Sequence, residues 1–294
     1  GLYTYHYLKR PAEIEPLLAD EMPTVSDDGL TYTIPIRQGV RYSRNKCFGV
    51  DKNTGLANTR DVTAHDFVLA FKRIGDYHLA NGSLPQVFLV DRVVGMSDYR
   101  DASEEYNKGD VSHYDELDIE GITAMDDYTL QIKLIEPFPQ LIYVLAMHNY
   151  APIPHEVVST YLTGKELPAI RKPEEVVSTG AYVLAKYGDK KAIVFVRNPE
   201  FRYMTYPTEG TEEDRLAGLL DDAGKQVPFV DIVQLDFVPE TFSLWMMFLT
   251  REVDSTGISE ELFDSVVTPD RELEDRWRKQ GIVMYVYTSP SIFW

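Results

Sequence analysis

Along residues 27–37, DDGLTYTIPIR, every second position is large and apolar: Leu30, Tyr32, Ile34 and Ile36. That period predicts a strand with one buried face, entered through an Asp-Asp-Gly turn. Pro35 has no N–H to give to a ladder, so the strand is expected at an edge or with its neighbour missing at that point. Residues 126–134, DDYTLQIKL, repeat the arrangement with Leu130, Ile132 and Leu134. Between the two lies DVTAHDFVLAFKRI (61–74), where Phe67, Val68, Phe71 and Ile74 fall on one face of a helix. Thr63 and Asp66 have the spacing of a capping box, and Lys72 and Arg73 sit where the helix dipole favours cations. The pattern predicts a compact sub-domain from about 22 to 155. Its two strands share a sheet, and the 64–74 helix packs on that sheet through Phe67 and Phe71.

The polar stretch 97–117, SDYRDASEEYNKGDVSHYDEL, reads as loop or short helix with a solvated surface. Residues 136–158, EPFPQLIYVLAMHNYAPIPHEVV, read as a short apolar helix opened by Pro139, a polar loop at His148-Asn149-Tyr150, and a second helix from about His155. STGAYVL (178–184) and KAIVFVR (191–197) predict two strands joined through Gly188-Asp189. Thr211 to Gly224 reads as a capped helix, with Asp214 answering Thr211 and a stripe of Leu216, Leu219 and Leu220. Strand DIVQLDFV (231–238), helix ETFSLWMMFLTRE, helix ISEELFDSVV and strand GIVMYVY (281–287) then alternate, which argues for a mixed α/β unit. Tyr182 reads as a core residue.

Composition narrows the function. The 294 residues carry 29 Lys and Arg against 47 Asp and Glu, a net charge of −18. Such a field repels phosphate backbones and argues against nucleic acid as a partner. One cysteine, Cys47, excludes an internal disulfide without fixing the compartment. No apolar run approaches the roughly 18 residues of a membrane span, and GLYTYHYLKR is not a targeting segment. Candidate chemistry is sparse. The carboxylates of 97–117 match neither an EF-hand loop nor another ligand spacing. The HEVV at 155–158 lacks the second histidine of a zinc-protease motif, and the six histidines at 6, 65, 78, 113, 148 and 155 are scattered. His65, in the first turn of its helix, is expected in solvent. No G-x-S-x-G and no Cys-His pattern appears. A hydrolase of peptides or esters therefore has no legible nucleophile, base or metal set.

Five stretches in order carry a family resemblance: GLYTYHYLKRPAEIEPLLADEMP; DDGLTYTIPIRQGVRYS; VTAHDFVLAFKRI; STGAYVL with IVFVRNPEF; and FLTREVDSTGI. Together they resemble the peptide and oligopeptide solute-binding proteins of bacterial ABC importers, solute-binding protein family 5. There are departures. CFGVDKNTGLAN (47–58) is longer than the family's turn, residues 206–225 look like an insertion, and Arg251 stands where the family has Gly. The resemblance implies an α/β fold, periplasmic-binding-protein-like of type II, with an extra small α+β domain. It assigns residues 1–21 to the first lobe, 22–155 to the extra domain and 156–280 to the first-lobe α/β segment. Residues 281–294 become the strand leading toward a second lobe, so that the chain is expected to be the front part of a longer protein.

The function implied is capture of a peptide, or a similar small solute, between two lobes and its delivery to permease subunits in the membrane. The expected setting is the periplasmic or extracellular face, as a monomer without cofactor or metal. The ligand contacts implied are Ser255, Thr256 and Gly257, then Tyr287, Ser289 and Trp294, with His148 and Asn149 facing the ligand. A solute-sensing receptor without transport and another solute in the same fold, such as a sugar, metal chelate or haem, stay open as alternatives.

Overall fold

In the computed structural model, which describes residues 1–79, 84–164, 170–188 and 192–286, the alternating stretches form strands as their period requires. The described residues fall into two units. The larger comprises Gly1–Gly188 with Ile193–Gln234, and the smaller runs on from Leu235.

The larger unit opens with β1 (Tyr3–Tyr5) and β2 (Ile14–Pro16), an antiparallel pair in which Tyr3 stands opposite Pro16. Then come β3 (Thr24–Val25), β4 (Thr31–Pro35), α1 (Ala64–Gly75), α2 (Leu84–Leu89), α3 (Met96–Glu104), α4 (His113–Glu116), β5 (Ile122–Asp126) and β6 (Thr129–Lys133). Strands β3, β4, β6 and β5 make one antiparallel sheet in that order. Ile34 pairs with Leu130 and Tyr32 with Ile132, so both sets of alternating apolar residues share the buried face. β4 is an inner strand, yet Pro35 costs it nothing. β3 pairs only with Tyr32 and Thr33, and the Pro35 carbonyl accepts from Asp20 N–H, which places the proline nitrogen on that side, away from β6.

α1 packs on this sheet through Phe67, Phe71 and Ile74, all buried. The Asp66 carboxylate accepts from the N–H of Thr63 at 2.9 Å and closes the first turn. Burial of each phenylalanine is worth about 2–3 kcal/mol. The same core takes in Leu2, Tyr3 and Leu18 from the first segment and Leu141, Val144, Leu145 and Tyr150 from α5 (Leu141–Leu145) and the turn after it. Gly121 lies where three backbones meet. It donates to Val94, Val94 donates to Lys133, and Lys133 donates back to Gly121 at 2.8–3.0 Å.

α6 (His155–Val157) follows, then β7 (Tyr182–Lys186) and β8 (Ala192–Arg197), α7 (Glu212–Leu216) and β9 (Ile232–Asp236). β7, β8 and β9 form a three-stranded sheet. The smaller unit holds α8 (Thr241–Leu249), α9 (Glu260–Val266) and α10 (Asp275–Arg278) around Trp245, Val266, Val267 and Leu273, with Trp277 edge-on to Trp245 at 5.3 Å.

The structure departs from the sequence pattern in several places. The helix expected over 211–224 stops at Leu216, because Gly218 turns left-handed at φ 76°. Its capping box is present, but its leucine stripe is not a buried face, and Leu216 is 80% exposed. The strand expected over 281–287 is absent from the described residues 281–286. Ile282 and Met284 pack against the Trp245 cluster with no ladder partner among the described residues. The 97–117 stretch keeps its carboxylates in solvent, but it buries Tyr99, Ser103, His113 and Tyr114.

Candidate functional site

The loop holding Ser255, Thr256 and Gly257 hangs from the C-terminus of α8, and the end of that helix is tightly specified. The N–H of Glu252 donates to the Met247 carbonyl at 2.8 Å, and that of Arg251 to Phe248 at 3.1 Å. These two bonds make a Schellman closure, which requires a left-handed residue between them. Arg251 supplies it at φ 64°. The Thr250 hydroxyl lies within hydrogen-bond distance of the Met246 and Met247 carbonyls and donates to a carboxylate oxygen of Glu252 at 2.8 Å. A residue with a Cβ at this left-handed position thus keeps the turn and strains it.

Beyond that turn the chain is open. Ser255 and Gly257 are exposed, and Thr256 is half-buried with its hydroxyl 3.1 Å from the Gly257 carbonyl. Among the described residues, the N–H groups of Ser255, Thr256 and Gly257 have no backbone partner. A Cβ at Gly257 would meet nothing within 4 Å.

His148 and Asn149 belong to the larger unit, on a short 3-10 turn, His148–Tyr150. Both are exposed, and Tyr150 anchors the turn with its ring 5.9 Å from that of Phe71. Tyr287, Ser289 and Trp294 lie outside the described residues. The eight expected contacts therefore comprise a pair on the first unit, a trio on the second and three whose placement is not described. Tyr182 is half-buried, with its hydroxyl donating to the Val230 carbonyl at 3.0 Å, so it is not the core residue its strand suggests. His65 is exposed and lies 3.5 Å from Asp127. No group of three or more His, Cys, Asp or Glu among the described residues could hold a metal ion. No described helix is long and apolar enough to cross a membrane.

One concave surface of the larger unit touches none of the expected contacts. It is an open groove of about 590 Å3 lined by Arg60, Asp66, Lys72, Tyr114, Asp118, His155 and Glu156, among others. Its charges answer one another. The Arg60 guanidinium forks between Asp66 (2.7 and 2.9 Å) and Glu156 (2.7 and 2.8 Å), and lies 5.3 Å from the Tyr42 ring centre. Burial pulls the Arg60 pKa down, but the two carboxylates outweigh it and hold it above its ordinary value. Lys72, buried, donates to Asp118 and to the Tyr114 carbonyl, each at 2.8 Å. Next to it Asp76 accepts from Tyr114 Oη at 2.6 Å and His78 N–H at 2.8 Å, with His113 Nε2 at 3.3 Å. Sequence reasoning missed these networks. Arg60 and Glu156 are 96 positions apart, and no local pattern marks either.

Comparison with known proteins gives the same reading along most of the chain. The model of bacterial extracellular solute-binding proteins, family 5 middle, matches residues 13–289. A curated relative, "Probable deoxycholate-binding periplasmic protein YgiS" of Escherichia coli, is 26% identical over 193 residues, covering 65% of this chain and 30% of the relative. The oligopeptide-binding protein AmiA of Streptococcus pneumoniae is 28% identical over 189 residues, covering 64% and 25%. The crystal structure of Haemophilus influenzae OppA in complex with RPPGFSPFR superposes with a TM-score of 0.59 at 22% identity, over 90% of this chain and 41% of that one. The match thus takes in between a quarter and two fifths of each of these longer proteins. The α/β architecture is that of the peptide-binding solute-receptor fold, represented in part.

Proposed function

The chain belongs to family 5 of the bacterial extracellular solute-binding proteins, and from that premise we propose that the protein containing it captures peptides for an ABC importer. The observation that carries the reading is the family match over residues 13–289. The largely exposed stretch Ser255, Thr256 and Gly257, whose N–H groups have no backbone partner among the described residues, is compatible with it, because main-chain groups are what all peptides share. In this proposal Ser255, Thr256, Gly257, Tyr287, Ser289, Trp294, His148 and Asn149 contact the ligand. Residues 22–155, with the β3–β4–β6–β5 sheet and α1, form the small extra domain. Residues 1–21 and 156–280 belong to the first lobe, and 281–294 lead toward a second.

The protein works as a monomer at the periplasmic or extracellular face, hands its ligand to permease subunits and catalyses nothing. Ligand released from the purified natural protein by denaturation and identified by mass spectrometry tests this. Short peptides are expected. A sterol acid would favour a second reading, an amphipathic non-peptide solute, which the deoxycholate-binding name of one relative raises. Turnover of bound peptide, lost on changing a single His or Ser, would overturn the non-enzymatic reading.

A further inference from the structure

We draw no further inference here: the strongest candidate, the open groove of the larger unit between the start of α1, Tyr114 and His155, is lined by Arg60, Lys72 and carboxylates that already pair with one another, and nothing in the structure shows what covers it.

Discussion

Arg251 sits left-handed at φ 64°, in a turn that the two helix-closing bonds will not relax. A Cβ in that region costs about 1–2 kcal/mol, and glycine avoids it at some cost in chain entropy. Arg251→Gly is expected to stabilise the smaller unit by about 1 kcal/mol in urea titrations. Tryptophan fluorescence reports on that unit, since Trp245 and Trp277 both lie in it. A loss of stability would mean that the guanidinium contributes more than the turn. Asp76 predicts a pH effect. Burial pushes its pKa up, but contacts with His113, the Tyr114 hydroxyl and the His78 N–H outweigh it and hold it below its ordinary 3.8. Glu156 is likewise pushed up by burial and held below 4.5 by the Arg60 hydrogen bonds. A carboxylate with a lowered folded pKa contributes stability above its unfolded pKa and loses it as pH falls through the folded one. Stability should therefore fall below about pH 4.5, and Asp76→Asn should cost about 2 kcal/mol at pH 7. Its acid limb should also be shallower than that of the unaltered protein. An unchanged limb would show that Asp76 is not among the groups that set it.

At the scale of elements, what was legible followed from local chemistry. Phe67, Phe71 and the Thr63–Asp66 cap lie within a dozen residues of one another, and α1 formed where they placed it. Leu130 and Ile132 declared their face by alternation alone. The pattern failed where the deciding contact was distant or a single glycine intervened. Gly218 cut short a helix whose cap was sound but whose leucines found no core to enter. Residues 281–286 alternate like a strand, yet no described strand pairs with them. Gly121 is the opposite case, a position with no local signal and a strict requirement. A Cβ there would stand 2.7 Å from the Lys133 carbonyl oxygen and 2.8 Å from that of Val94, and neither can turn aside. Gly121→Ala should cost about 2–3 kcal/mol and shift the edge of the β3–β4–β6–β5 sheet, seen as a lower thermal midpoint by circular dichroism. A midpoint within one degree of the original would show that the crossing is looser than these distances require.

For the whole molecule, family and fold could be read because five stretches recur in order along nearly the full chain, whereas the ligand contacts could not. His148 and Asn149 look like any polar loop, and so do Ser255, Thr256 and Gly257, whose N–H groups, like those of their neighbours Val253, Asp254, Ile258 and Ser259, have no backbone partner among the described residues. In the proposed site the contacts are made by backbone, and residue types do not record such an arrangement. We propose that the protein binds peptides through shared main-chain groups with little regard to side chains. The most direct measurement is titration calorimetry of the natural protein, freed of bound solute, with peptides of one length and unrelated sequence, beside the same peptides N-methylated along the backbone. Saturable binding of the unmodified set within about tenfold in affinity, under 1.4 kcal/mol of spread, is expected, with a loss of more than tenfold on N-methylation. No binding by any peptide, or equal affinity for the N-methylated set, would contradict it.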